Sequence, residues 1–404
     1  MADRRFPLVT FLAAAAVAWA VLAAPALAQH KQPPKDEGGP KLAAPHAILI
    51  EAKSGSVLYE RDADTLIYPA SLAKLMTAEY VFHLLKIGKI KLTDEFFVSE
   101  HAWRTGGAPS HGSTMFAAIN SKVPVDALLH GMIIQSANDA CIVLAEAIAG
   151  NETAFAEQLT KRAREIGLEK STFANSNGLP NPNEHVTTRE LAMLARHIIL
   201  DYPDFYPLFK QPDFTWNKIH QMNRNPLLGS LDGADGLKTG FTKEAGYGLV
   251  GSAVQNGLRL IVVVNGEKSA KERALEGKKL LEWGFNNFEQ RTIFAANQTL
   301  GSAKVFGGAH GYVPLKADGP VEVMVPKDGG ARLVARIVYT GPVPAPVKEG
   351  LPIGKLKVWR GDNVVLEAPL HAAGNVGVGN LPQRAFDSVT EMVIALFRAG
   401  AERL

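Results

Sequence analysis

Residues 247–267, YGLVGSAVQNGLRLIVVVNGE, carry two apolar runs joined by Gln255-Asn256-Gly257. An Asn-Gly step between such runs is the turn of an antiparallel hairpin, because both positions tolerate positive φ. GLKTGFT, following Asp235, supplies a strand ahead of this pair. Near the other end, AILIEAKSGSVLYERDAD alternates and turns at Ser54-Gly55, a second hairpin, with order beginning near His46. Between the strand groups lie a helix starting near Ser71, an irregular loop, TGGAPSHGSTMF, and helical patterns over 124–149, 153–166 and 188–200. Another helix is expected from Ala270 to Phe288. Strands at both ends with helices between them predict an α+β domain over 44–288, its antiparallel sheet assembled from both chain ends.

Beyond Glu289 the texture changes to short strands between Gly/Pro turns: TIFAANQ, GSAKVFGG, VEVMVP, ARLVARIVY, GKLKVWR and VVLEAPL. They predict a small all-β domain over 289–379. Residues 380–404 then form an amphipathic helix. Phe386, Val389, Met392, Val393, Leu396 and Phe397 fall on one side with Ile394 at its edge, and Arg384, Asp387, Glu391 and Arg398 fall opposite. Asp387 and Glu391 interrupt the apolar run, so the segment is expected to lie on a membrane surface rather than cross it. Its alternative is packing of the apolar face on the β domain.

The N-terminus has the grammar of export. Arg4 and Arg5 precede an apolar run from Phe6 to Ala24, and Ala26-Leu27-Ala28-Gln29 has the small-x-small form of a signal-peptidase site. Residues 1–28 are expected to be removed, and 29–43, rich in Pro, Gly and charge, to form a flexible leader. The formal net charge is +3 and no Lys/Arg cluster occurs, which argues against a nucleic-acid partner. Cys141 is the only cysteine, so no intrachain disulfide and no cysteine-based zinc site can form; in its apolar helix it reads as a small buried hydrophobe. His101 and His111 lack ligand spacing, and neither a metal nor another cofactor is expected. Trp103 and Phe116 read as lid packing, and Thr187-Thr188-Arg189-Glu190 as a helix cap.

Chemistry concentrates at YPASLAKLMTAEYVF, where Ser71 precedes Lys74 by three residues in a run that otherwise reads as a buried helix. Residues i and i+3 share a helix face, so the hydroxyl and the amine can meet. A serine needs an adjacent base to become a nucleophile, and a desolvated lysine releases its proton more readily than one in water. Alone, the pair is compatible with a simple helix cap. Two further elements change that: Ser136-Ala137-Asn138 ahead of the Cys141 helix, and Lys238-Thr239-Gly240 on a strand. Serine-x-x-lysine, a serine-x-asparagine element and Lys-Thr-Gly, in this order, are the signature of penicillin-recognising serine enzymes.

The chain resembles the low-molecular-mass penicillin-binding proteins of the D-alanyl-D-alanine carboxypeptidase type, the serine peptidase S11 family. QSANDAC, DGLKTGFTKEAGYGLVGSA and KERALEGKKLLEWGF carry the likeness beyond the three motifs. It implies the penicillin-binding/β-lactamase-like transpeptidase fold and removal of terminal D-alanine from peptidoglycan stem peptides through an acyl-enzyme, with β-lactams as covalent inhibitors. By the same resemblance Ser71 is the nucleophile and Lys74 its base. Ser136 bridges Lys74 to the leaving amine, Lys238 supplies positive charge, and Asn138 holds a substrate amide and fixes Lys74. The backbone amides of Ser71 and Phe241 form an oxyanion hole. Gly240 leaves room beside the backbone, and Thr239 with Arg273 receives the terminal carboxylate. The expected location is the periplasm, at the outer face of the inner membrane.

One departure stands out: Asn177-Gly178-Leu179 lies where many relatives carry histidine before Gly-Leu, which removes any acid–base role for a histidine there. Three other readings compete. A class A β-lactamase would need a deacylating glutamate in a Glu-x-x-Leu-Asn setting, which is absent between Asn138 and Lys238. A DD-endopeptidase would share every catalytic residue. A non-catalytic wall-binding scaffold conflicts with three intact motifs.

Overall fold

The computed structural model describes residues 39–329, 332–360 and 363–401; the expected signal segment and leader residues 29–38 lie outside the described residues. The chain opens with the hairpin β1 (His46–Glu51) and β2 (Val57–Arg61), and a single 3-10 turn, Ala70–Ala73, leads into α1 (Lys74–Lys86). A ribbon of β3 (Glu95–Phe97) and β4 (Lys122–Pro124) brackets α2 (Glu100–Thr105). Four helices follow: α3 (Val125–Ile134), α4 (Asn138–Ala149), α5 (Glu152–Glu165) and α6 (Thr188–Asp201). A second ribbon, β5 (Asp213–Trp216) and β6 (Ile219–Met222), precedes β7 (Ala234–Thr242), β8 (Gly246–Gln255), β9 (Leu258–Glu267) and α7 (Ala270–Asn287).

The main sheet has the order β2-β1-β9-β8-β7 and is antiparallel throughout, so strands from both chain ends meet at β1 and β9 as the sequence predicts. Asn256 and Gly257 both have positive φ in the β8–β9 turn. Successive strand residues point to opposite faces. Ile48, Ile50, Ile261 and Val263 therefore enter the core shared with α1, α3, α4 and α6, whereas Leu49, Leu260, Val262 and Val264 pack against α7. β7 is an edge strand, so alternate backbone amides along it are left unpaired by the sheet.

Three expectations for this domain are corrected. The helical pattern over 124–149 is two helices: α3 ends in a turn closed by the Ala137 N–H to the Gly131 carbonyl, with Ser136 at φ 64°. This is the left-handed termination usually given to glycine, and a serine in that place hides it from a sequence pattern. Ser71 sits on the 3-10 turn ahead of α1 rather than on the α-helix itself, because Ala70 takes φ 49° and delays the regular helix until Lys74. Order also starts before His46: Leu42 is buried against α7, and the Ala43 N–H donates to Glu276 Oε2 at 2.6 Å.

The second domain comprises β10 (Phe288–Phe294), β11 (Gly301–Phe306), β12 (Tyr312–Lys316), β13 (Val321–Pro326), β14 (Leu333–Tyr339), β15 (Val343–Pro344), β16 (Pro352–Arg360) and β17 (Asn363–Ala372). Six of them form a sheet of order β14-β16-β17-β12-β11-β15, and β10 pairs with β13. The sequence reading omits β12 and β15, which carry Pro314 and Pro344, and proline weakens a strand pattern. Alternation on β13 joins the domains: Val321, Val323 and Val325 enter the β core, while Met324 reaches the α7 side of the first domain. Arg360 adds a hydrogen bond to the Val57 carbonyl (3.2 Å) and lies 5.3 Å from the Phe288 ring centroid. The chain ends in α8 (Leu381–Ala401), capped by reciprocal Asn380 and Gln383 hydrogen bonds.

Candidate active site

The three motifs converge where the 3-10 turn meets the β7 edge. A Cβ on Gly240 would lie 3.1 Å from the Pro69 carbonyl oxygen and 3.2 Å from the Leu72 nitrogen. Glycine thus lets the Lys-Thr-Gly strand lie directly against the Ser71 turn. Gly178 acts in the same way from the other side: its φ is 78°, and a Cβ there would collide with the Ala70 carbonyl at 1.8 Å. Two non-glycine residues with positive φ, Ala70 and Ser136, adjoin the centre, and such strain is kept where surrounding structure enforces it.

Lys74 is 1% exposed. Its Nζ donates to Ser71 Oγ at 3.0 Å and to the Asn177 carbonyl at 2.6 Å. Burial pushes its pKa down from the ordinary lysine range to about 8. That brings the neutral amine, the form able to accept the Ser71 proton, within reach near neutral pH. The hydrogen bond expected from Asn138 to Lys74 is absent; Asn138 is the first residue of α4, and its N–H donates to the Ser113 carbonyl at 2.7 Å. Asn177 takes that duty with its main chain, which needs no particular side chain and so leaves no motif.

Ser136 Oγ is buried without a hydrogen-bond partner among the described residues. Lys238 is buried, donates to the Thr239 carbonyl at 3.1 Å, and is held well below its ordinary pKa by burial and then by the charges of Lys74 and Arg224. Thr239 is also buried. Phe241 is half-exposed and stacks on Tyr247 with centroids 4.1 Å apart. Arg273 rises from the first turn of α7, reaches the Gly240 carbonyl at 3.5 Å and lies 5.6 Å from the Tyr247 ring centroid, with Nε buried and unpartnered. Burial lowers its pKa.

Two charged residues escape the sequence reading. Arg224 donates to Ser113 Oγ (2.6 Å) and Gln135 Oε1 (3.4 Å), and its charge acts on both Lys74 and Lys238. Glu184, on the loop between α5 and α6, is buried, and its pKa is pushed up to about 8 by burial against the pull of Lys74. A glutamate does approach the centre, then, outside any Glu-x-x-Leu-Asn string. Among the described residues no carboxylate lies within ion-pair distance of Lys74, Lys238, Arg224 or Arg273, so the site is an unneutralised cationic cleft suited to an anionic ligand. Cys141 Sγ faces the Ala137 carbonyl and burial pushes its thiol up to about 12, in keeping with a buried hydrophobe. No cluster of metal-ligating side chains occurs among the described residues.

Comparison with known proteins agrees with this geometry. Residues 29–269 match the peptidase S11 model, D-alanyl-D-alanine carboxypeptidase, and residues 288–377 match the C-terminal domain of penicillin-binding protein 5. The D-alanyl-D-alanine carboxypeptidase DacC of Escherichia coli K12 is 40% identical over 345 residues, 85% of this chain and 86% of that one. The crystal structure of penicillin-binding protein 5 from Haemophilus influenzae superposes with a TM-score of 0.74 at 37% identity, covering 84% of this chain and 98% of that one. Penicillin-binding protein D2 from Listeria monocytogenes, in its ampicillin-bound form, gives a TM-score of 0.53 at 31% identity over 61% of this chain and 99% of its own. Fold and site together define a penicillin-recognising serine acyltransferase. The chain belongs to the peptidase S11 D-alanyl-D-alanine carboxypeptidase family.

Proposed function

We propose that this protein is a serine-type D-Ala-D-Ala carboxypeptidase acting on peptidoglycan stem peptides. The observation that carries the reading is the buried Lys74 Nζ, 3.0 Å from Ser71 Oγ and without a carboxylate to fix its proton. A peptide ending in D-Ala-D-Ala lies along the open edge of β7, where unpaired amides can take it as an added strand. Its terminal carboxylate meets the cationic side of the cleft, with Arg273 and Thr239 as its partners. Neutral Lys74 takes the proton of Ser71 as Oγ attacks the penultimate D-alanine carbonyl, and the Ser71 and Phe241 amides hold the oxyanion. The orphaned Ser136 hydroxyl, with Lys238 beside the centre, relays the proton that Lys74 took from Ser71 to the departing D-alanine amine, which leaves Lys74 neutral again. Asn138 holds the substrate amide. Water activated by Lys74 then hydrolyses the acyl-enzyme. A β-lactam acylates the same serine. Loss of terminal D-alanine removes the donor bond that crosslinking needs.

The test is Ser71→Ala. Wild type is expected to release D-alanine from diacetyl-Lys-D-Ala-D-Ala and to label with fluorescent penicillin, and the variant to do neither. A labelled alanine variant would place the nucleophile elsewhere.

Export through residues 1–28 and attachment through α8 complete the proposal. No helix among the described residues is long and apolar enough to cross a membrane. On α8, Leu381, Phe386, Val389 and Met392 are exposed, Phe386 to 73%, while Asp387 accepts from the Gly307 N–H at 2.8 Å and ties the polar side to the β domain. That arrangement favours an interfacial helix over one whose apolar face packs inward. Deleting residues 381–404 should move the mature protein from washed membranes to the soluble fraction with peptide cleavage retained. An unchanged membrane fraction would rule α8 out as the anchor.

A further inference from the structure

A cleft of about 220 Å³ opens beside the nucleophile turn, lined by Pro69, Ala70, Gly178, Thr242 and Glu244 among others. Glu184 lines it from beneath, only 2% exposed, with Oε1 unpartnered. A buried carboxyl with one oxygen unpartnered is costly, even with the Ala174 N–H and Asn175 acting on it, and nothing in the acylation sequence derived above uses it. Its other oxygen leads back to the base. Asn175 Nδ2 donates to Glu184 Oε2 at 3.2 Å and to the Leu179 carbonyl at 2.9 Å. Asn175 Oδ1 accepts from the Asn177 and Gly178 N–H groups at 3.1 and 2.6 Å. The carbonyl of Asn177 is the one that holds Lys74 Nζ. Glu184, Asn175, the Asn177–Gly178 turn and Lys74 thus form one continuous hydrogen-bonded path.

We propose that Glu184 is a positioning residue for the general base: through Asn175 it fixes the carbonyl that holds Lys74. This inference rests on the reading of Ser71 and Lys74 as nucleophile and base. The charged groups acting on Glu184 are Lys74 from α1 and Glu152 from the first turn of α5; Glu244 also lines the cleft, and His185, next in the chain, has its ring tilted against Tyr68 with centroids 5.1 Å apart. Burial pushes the Glu184 carboxyl up to about 8, so on the acidic side of that value it acts through its hydrogen bond to Asn175 rather than through charge.

The experiment measures penicillin acylation rate against pH in the mature chain. Glu184→Gln keeps the shape and an acceptor for Asn175 but cannot ionise. Its plateau rate should stay within about twofold of wild type and its acidic limb should stay in place, because a carboxyl pushed up to about 8 and an amide carry the same charge on the acidic side of that value. Glu184→Ala and Asn175→Ala should each lower the plateau by about tenfold with little change in KM for the peptide. The double variant should be no worse than either alone, because both cut the same path. An unchanged plateau in Glu184→Ala, a Glu184→Gln plateau about tenfold below wild type, or losses that multiply in the double variant, overturns the proposal. The near-isosteric glutamine variant keeps the test decisive if the alanine variants fold poorly. Failure of this inference is separable from failure of the reading beneath it: Lys74→Ala that still acylates would remove the base itself, whereas wild-type behaviour of the Glu184 variants beside an inactive Lys74→Ala removes only the relay.

Discussion

Helix α1 buries two charged side chains five positions apart, and they are treated in opposite ways. Glu79 is wholly buried and saturated: Arg162 donates to it from Nε (3.0 Å) and Nη2 (2.9 Å), Tyr202 from its hydroxyl (2.9 Å), and His197 Nε2 lies at 3.1 Å. Burial pushes the carboxyl up, but these hydrogen bonds and the Arg162 charge outweigh it and hold its pKa below the usual range. Lys74 has the same burial with one hydroxyl, one carbonyl and no anion. A satisfied buried charge locks the elements around it, here α1, α5 and α6; a starved one stays ready to change its protonation state. The contrast shows that burial alone assigns neither stability nor reactivity. The partner set does.

The comparison can be broken by crossing the two substitutions. Lys74→Ala should slow penicillin acylation by about 10²–10⁴-fold, the usual worth of a positioned base, while the thermal midpoint stays level or rises because an unpaired buried ammonium is gone. A variant that loses its fold along with its activity would show that Lys74 is structural after all. Glu79→Ala should do the reverse, costing about 3–5 kcal/mol by removing the buried anion of Arg162 and leaving it only the more exposed Glu165 at 3.2 Å, with kcat per folded molecule nearly unchanged. Urea unfolding followed by active-site titration separates the two quantities.

The pH profile sharpens the same contrast. Lys74 must be neutral to accept the Ser71 proton, and its pKa is lowered to about 8, so acylation should climb as pH rises toward that value and level above it. From pH 6 to 8 the neutral fraction grows about fifty-fold. Glu79, lowered beneath its ordinary range, stays ionised throughout and should contribute no limb in that window. A flat profile between pH 6 and 8 would contradict the Lys74 assignment. The smallest effect expected is at the rim. Arg273→Ala should weaken kcat/KM for a free-acid peptide by about tenfold, near 1.5 kcal/mol for one charged hydrogen bond, and leave an amidated peptide almost unaffected. Equal losses on both peptides would reduce Arg273 to packing on Tyr247.

Much of this arrangement is legible before any fold is known, and the failures follow a pattern. The β8–β9 hairpin is readable because Asn256-Gly257 dictates its own turn, and α7 because Ser269 and Glu272 cap it locally. The break at Ser136 is not, because the left-handed conformation there is imposed by what α3 and α4 pack against, and a serine gives no sign of it. Pro314 conceals β12 for the opposite reason: a local signal against a strand is overridden by pairing with β11 and β17.

By itself the sequence determined the order of the motifs and the i,i+3 spacing that brings Ser71 and Lys74 within reach, since both follow from neighbours along the chain. Tertiary structure alone decided what those side chains can do. The Asn177 carbonyl that holds Lys74 is 103 residues away in sequence, the Arg162 that quiets Glu79 is 83 away, and Arg224 and Glu184 belong to no motif. A pKa depends on solvent exclusion and on charges gathered through space, and these exist only once distant segments have closed over α1.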